Sequence, residues 1–287
     1  MLDQQTLEKL TQMRLSAMGQ EYRRQLESSD KNALSFEERF AMITDAQWVN
    51  RQNNRLKRLL NRANLRIQDA CLEDLDYEPC RNLDRGAVAR LADMIWLYES
   101  RNMIITGASG TGKTYLACAF GNQACRKGFK TKYYRVNRLL TDLNIGQGDG
   151  SYNKIIKELK KTDLLILDDW GLAPLDPASS RDLLEVVEDR YGYRSTVISA
   201  QLPVSKWHKL FEDSTVADAI LDRLVHNAYR FELKGPTKRK NEQHRETKKT
   251  EQKANTSSHS PMGECEAGNH HVSKSLPQAE VEKPPDL

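Results

Sequence analysis

The sequence predicts an α/β protein: a five-stranded parallel sheet covered by helices on both faces, preceded by a small all-helical domain. Three observations carry this. From residue 102 onward, short apolar runs alternate with helical stretches, the pattern of strands joined by crossover helices. A glycine-rich turn, GASGTGKT at 107–114, stands between the first of these strands and a helix. Residues 1–68 hold one glycine, Gly19, no proline, and apolar positions at helical spacing.

Within 1–68, Ser35 ahead of Glu37 and Glu38 offers a helix N-cap with acidic residues in the first turn, where they favour the helix dipole. Residues 69–101 read as a linker and leading helix. The acidic run EDLDYE and Pro79 make an irregular connector, and a helical pattern resumes over 86–99. Residues 102–234 read as the α/β core, with strands at 102–106, 131–135, 163–167, 195–200 and 229–233. Helical stretches lie between them at 112–127, 136–144, 151–161, 178–193 and 204–228. Residues 235–287 hold five of the nine prolines and almost no apolar periodicity, which predicts a disordered polar tail. The four histidines there are too loosely spaced to suggest a metal site.

No apolar run approaches the roughly 18 residues of a membrane span, and MLDQQTLEKL lacks the pattern of a signal peptide. The five cysteines form no CxxC pair, which favours free thiols in a reducing compartment. A cytoplasmic protein without membrane partners is expected. The net charge of +4 is modest, so its distribution matters more: basic residues gather at 51–66 and 234–253.

GASGTGKT matches G-x-x-x-x-G-K-[ST], a phosphate-binding loop. Gly107, Gly110 and Gly112 let the backbone turn tightly and aim N–H groups at phosphate oxygens. Lys113 brings a point charge to the β- and γ-phosphates. Thr114 presents its hydroxyl to Mg²⁺, and the helix starting there directs its positive end at the anion. Ala108, Ser109 and Thr111 complete the loop, and Tyr115 follows it into the helix, so 107–115 is the expected nucleotide-binding set.

Fifty residues on, LLILDDWG at 164–171 is an apolar strand ending in Asp168 and Asp169. The first carboxylate is placed to hold the Mg²⁺ hydration shell, the second to orient or deprotonate an attacking water. The two motifs together define a Mg-nucleotide site. On the next strand, Ser199 and Gln201 stand at the C-terminal end, where ligands bind in open parallel sheets. Either can sense the γ-phosphate, and Gln201 is preferred. In ADAILDRLVHNAYRFEL at 217–233, Asp222 and Arg223 lie off the apolar helix face. Arg223 can reach a neighbouring subunit's γ-phosphate or form an intramolecular surface pair with an Asp.

The segments LSFEERFAMITDAQW (34–48), ACLEDLDY (70–77), GASGTGKTYLACAFGNQACRKG (107–128), LLILDDWGLAPL (164–175), RDLLEVVEDRY (181–191), QLPVSKWH (201–208) and DAILDRLVHNA (218–228) carry a resemblance. Over about residues 10–240 the chain resembles the IstB-like helpers of insertion-sequence transposases, AAA+ ATPases close to the bacterial helicase loaders. The resemblance implies strand order 5-1-4-3-2, ATP as the nucleotide, self-assembly on DNA, and delivery of target DNA to a cognate transposase. It implies Lys113 and Thr114 at the Walker A positions, Asp168 and Asp169 at Walker B, Gln201 or Ser199 as sensor 1, and Arg223 as arginine finger. The chain departs from common AAA+ patterns in having Asp169 where Glu is usual, compatible with slow hydrolysis. It also shows no C-terminal helical lid, so the nucleotide would be closed in by a neighbouring subunit.

In WVNRQNNRLKRLLNRANLR (48–66), Arg51, Arg55, Arg58, Arg62 and Arg66 recur at spacings of four, three, four and four. On one helix these form a stripe about 22 Å long, able to track the backbone of double-stranded DNA without reading sequence or simply to be solvated. Lys238, Arg239, Lys240, Lys248 and Lys249 can add a basic arm. Three functions stand: a transposition helper, a replicative helicase loader, and a metabolic kinase. The last should carry an arginine-rich acceptor lid, which is not visible.

Overall fold

The computed structural model describes residues 2–28 and 34–237. The N-terminal region is helical: α1 (Leu2–Gln12), α2 (Ser16–Glu27) and the long α3 (Phe36–Ala63). Ser35 caps α3. Its Oγ accepts from the Glu38 N–H at 3.2 Å, and the Glu38 carboxylate accepts from the Ser35 N–H at 2.8 Å, a reciprocal pair that satisfies two otherwise orphaned donors.

The helix ends at Asn64, whose backbone turns left-handed at φ 50°, a conformation Asn tolerates well. Arg66 therefore lies beyond the helix. The expected five-arginine stripe is corrected to the four on α3, Arg51, Arg55, Arg58 and Arg62, all exposed.

The helix expected over 86–99 is two helices, α4 (Arg85–Leu91) and α5 (Ile95–Tyr98). Met94 between them is fully buried and left-handed at φ 63°. The Trp96 indole donates to the Leu91 carbonyl at 3.1 Å and packs edge-on against Phe120. Burying these large side chains outweighs the roughly 1–2 kcal/mol of a left-handed residue.

Five parallel strands form the sheet: β1 (Asn102–Gly107), β2 (Thr131–Arg135), β3 (Leu164–Trp170), β4 (Ser195–Ala200) and β5 (Ala228–Leu233). Their order is β2-β3-β4-β1-β5, which is 5-1-4-3-2 read from the other edge. Between them run α6 (Lys113–Arg126), α7 (Val136–Asp149), α8 (Tyr152–Lys160), α9 (Pro177–Glu188) and α10 (Ser214–Val225). Alternate strand residues feed two cores. Met103, Ile105, Leu164 and Ile166 pack with α6 and α4, while Ile104, Leu165, Leu167 and Ile198 pack with α7, α9 and α10. Burial on both faces is why these strands read as unbroken apolar runs. Asp168, two residues beyond Ile166, falls on the α6 face.

The helix expected over 204–228 is also corrected. Val204–Leu210 is a 3-10 turn, and α10 begins only at Ser214, capped by Asp213. Trp207 and Phe211 are drawn against Trp170, with ring centroids 5.3 and 6.4 Å away, and Phe211 bridges to Leu175. That packing holds the chain extended where a helix would otherwise run on.

The expected tail beyond Thr237, its basic arm and the matter of a C-terminal lid lie outside the described residues. Among the described residues no helix is long and apolar enough to cross a membrane.

Candidate active site

The phosphate loop joins β1 to α6 at the C-terminal edge of the sheet, where parallel strands present ligands. Two glycines are required by close approach. A Cβ on Gly107 would run into the Leu233 carbonyl oxygen, and one on Gly112, at φ 90°, would meet Arg81 Nη2 at 2.7 Å. Lys113 is folded across the loop, its Nζ donating to the Ala108 carbonyl at 2.8 Å. Tyr115 points to the other side of α6, where its hydroxyl accepts weakly from the Cys71 N–H at 3.5 Å.

The carboxylate of Asp168 is buried, at 1% exposure. It accepts from Thr114 Oγ1 at 2.9 Å and from the Tyr133 hydroxyl at 2.7 Å. Burial, and then the negative charge of Asp168, push the Tyr133 hydroxyl above its ordinary pKa, so it stays a donor. Burial likewise pushes the neighbouring Cys118 thiol up to about 11, leaving it inert.

Asp169 is arranged differently. Its backbone is left-handed at φ 61°, and its side chain reaches the rim, 28% exposed. Arg66 Nη1 lies 3.9 Å from carboxylate oxygens of both Asp168 and Asp169, and Arg135 Nε lies 3.7 Å from Asp169. The turn thus separates two neighbouring carboxylates, one held inward and one set between two cations.

The hard oxygens of Thr114 and Asp168, side by side, suit Mg²⁺, which takes one or two protein ligands when phosphates and water supply the rest. These two residues would hold it. When bound, Mg²⁺ neutralises charge on the β- and γ-phosphates. Asp169 lies at the rim, and the Lys113 ammonium stands beside the loop carbonyl of Ala108; an ammonium and inward loop N–H groups are the anion-binding groups of such a turn.

Of the sensor candidates, Ser199 is buried opposite Ile105 of β1, and its hydroxyl has no hydrogen-bond partner among the described residues. Gln201 is exposed and lines a cleft of about 930 Å³ together with Gly107, Ala108 and Thr111. Arg223 is elsewhere. Its guanidinium meets Glu188 at 2.8 Å and the Ala219 carbonyl at 2.8 Å, and lies over the Tyr191 ring at 5.9 Å. Its pair is therefore with Glu188 rather than the adjacent Asp222. Its own carbonyl accepts from Asn102, the first residue of β1. Arg223 thus stands at the N-terminal edge of a six-residue strand, roughly 17 Å from the loop at the other end.

Two residues of the site, Arg81 and Tyr133, carry no functional signal in the sequence, and a third, Arg66, stands in a different place from the one its spacing predicts. Arg81, buried in the irregular connector, donates from Nη2 to the Thr111 carbonyl of the loop at 2.6 Å and pairs with Asp76 at 3.6 Å. Tyr133 sits on β2, where TKYYR gives no alternation that separates it from Tyr134; its burial and its bond to Asp168 come from the fold. Arg66 was read as a stripe member, although Asn64, a common helix stop, signalled that the helix ends before it.

A family model described as IstB-like ATP binding protein matches residues 8–247. A Sinorhizobium fredii protein described as an insertion sequence ATP-binding protein, y4pL, is 44% identical over 242 residues, covering 84% of this chain and 98% of that one. The ATP-binding protein of insertion sequence IS1162 from Pseudomonas fluorescens is 45% identical over 205 residues, 71% of this chain and 89% of that one. Among solved structures, the DnaC helicase loader has a TM-score of 0.50 at 20% identity, over 58% of this chain and 97% of that chain, a likeness of fold alone. With its phosphate loop, paired carboxylates and sheet order, the chain belongs to the IstB-like ATP-binding family and is an AAA+ P-loop ATPase.

Proposed function

We propose that this ATPase is the DNA-binding helper of a transposase. It assembles on double-stranded DNA across its ATP sites, delivers that DNA to the cognate transposase, and releases it when ATP is hydrolysed. The observation that supports assembly is the position of Arg223. It stands at the sheet edge opposite its own phosphate loop, so an arginine finger at this position serves the loop of a neighbouring subunit. The exposed arginines of α3 support DNA contact through phosphates.

The test is anisotropy of a labelled duplex and light scattering of the protein with ATP, ADP or no nucleotide, for wild type and Lys113→Ala. ATP should drive both DNA binding and growth in mass for wild type only. A wild-type protein that stays monomeric and indifferent to DNA with ATP would sink the proposal. Capture of a replicative helicase in place of the transposase would favour the loader reading.

A further inference from the structure

Beside the α3 arginines lies a groove of about 470 Å³ with six cations in its lining. Arg62 comes from α3, Lys130 and Lys132 from the start of β2, and Lys154, Lys157 and Lys161 from α8 and its C-terminal end. Leu59 lines this groove and also a smaller hollow, where Arg55 meets Arg126 and Lys127 at the end of α6. The two hollows therefore lie on either side of Leu59. Glu158 is the one carboxylate in either lining.

Few of these charges serve the fold. Among the described residues, Lys132 pairs with Glu158 at 3.3 Å and Arg126 with Glu73 at 3.3 Å. Lys154, Lys157, Lys161 and Lys127 are exposed and have no carboxylate within salt-bridge distance among the described residues. Gathering like charges from three separate stretches of sequence into one concavity costs self-repulsion, which a polyanion relieves. A solvated helix face explains a row on one helix, but not the convergence of α3, the α6–β2 turn and α8. Lys154, Lys157 and Lys161 recur at spacings of three and four, a row about 10 Å long, comparable to three steps of 3.4 Å along a nucleic-acid strand.

We infer that this groove is a phosphate-backbone track for double-stranded nucleic acid, with Arg62 of α3 on one wall. The inference rests on the DNA-binding reading above and says where the duplex lies. Lysine contacts to phosphates fix position without carrying sequence information, so binding through it is sequence-tolerant. Its signature is release of counterions, each phosphate contact adding about 0.9 to the salt slope.

The experiment measures duplex affinity with ATP across a salt series. Lys154→Gln/Lys157→Gln/Lys161→Gln should lower the salt slope by about 2–3 and weaken binding roughly tenfold or more at moderate salt. The matching Lys→Arg triple should restore most of the affinity. Lys206→Gln/Lys209→Gln, on the 3-10 turn, should change neither, and equal melting temperatures exclude misfolding. A glutamine triple with wild-type slope and affinity overturns the groove while leaving the function standing. A triple that binds duplex normally but no longer captures the transposase overturns it in favour of an acidic protein partner. No duplex binding by wild type defeats the underlying reading instead.

Discussion

The Arg66 guanidinium lies 3.9 Å from a carboxylate oxygen of Asp169 and the same distance from Asp168. It stands three residues past the end of α3, the helix that carries the exposed arginines. A cation there would compete with Mg²⁺ for the Asp168 carboxylate.

Arg66→Ala should therefore tighten Mg²⁺. The side chain is 42% exposed and lies 3.9 Å from the carboxylate, so the competing ion pair that is lost is of the order of 1 kcal/mol, the value for charges about 4 Å apart in water. The Mg²⁺ concentration for half-maximal ATP turnover should fall about three- to fivefold. An unchanged Mg²⁺ profile would remove Arg66 from the site.

Tyr133 gives a pH prediction. Burial first, then Asp168, raise its folded pKa above the unfolded value of 10.0. A raised folded pKa means that the folded chain keeps this proton when the unfolded chain loses it. The contribution is fully present below pH 10 and is lost as pH rises above it. Tyr133→Phe should be less stable at neutral pH by about 1.5–3 kcal/mol, the worth of a hydrogen bond to a charged group. Its melting temperature should then fall less steeply than wild type between about pH 10 and 11. Parallel curves over that range would show that Tyr133 does not titrate differently on folding.

Arg190 is an arginine of another kind. Buried between α9 and β4, it donates to the carbonyls of Leu159, Thr162 and Ser195 and to Thr196 Oγ1. Arg190→Met leaves several buried acceptors unpaired, at about 1–3 kcal/mol each. A loss of about 3 kcal/mol corresponds to a drop of roughly 6–12 °C in melting temperature for a chain of this size. ATP affinity of the folded fraction should stay within about twofold, since none of these partners touches the loop. A wild-type melting temperature would refute this role.

Much of the core was legible because its signals are local. Leu164–Leu167 ending in Asp168 and Asp169 had to be a buried strand with polar cargo, and GASGTGKT had to sit between strand and helix. The strand order followed from the resemblance, not from the runs themselves. What was not legible depends on packing at a distance. Nothing near Met94 announces a left-handed turn, because Trp96 and Phe120 impose it. Trp207 and Phe211 likewise break a plausible helix only because Trp170 is there to receive them. The spacing of Arg66 was read correctly, but its helix was not, and the lysine groove joins three stretches that no single window of sequence contains.

The measurement that tests the central claim most directly is ATP turnover in a mixture of two inactive variants on duplex DNA. Lys113→Ala subunits retain Arg223 but lack the loop lysine, and Arg223→Ala subunits hold the reverse set. If each ATP site is completed by its neighbour, a one-to-one mixture joins an intact loop to an intact Arg223 at about a quarter of its interfaces and regains up to that fraction of wild-type turnover. A mixture no more active than the average of the two variants alone would contradict a site shared between subunits.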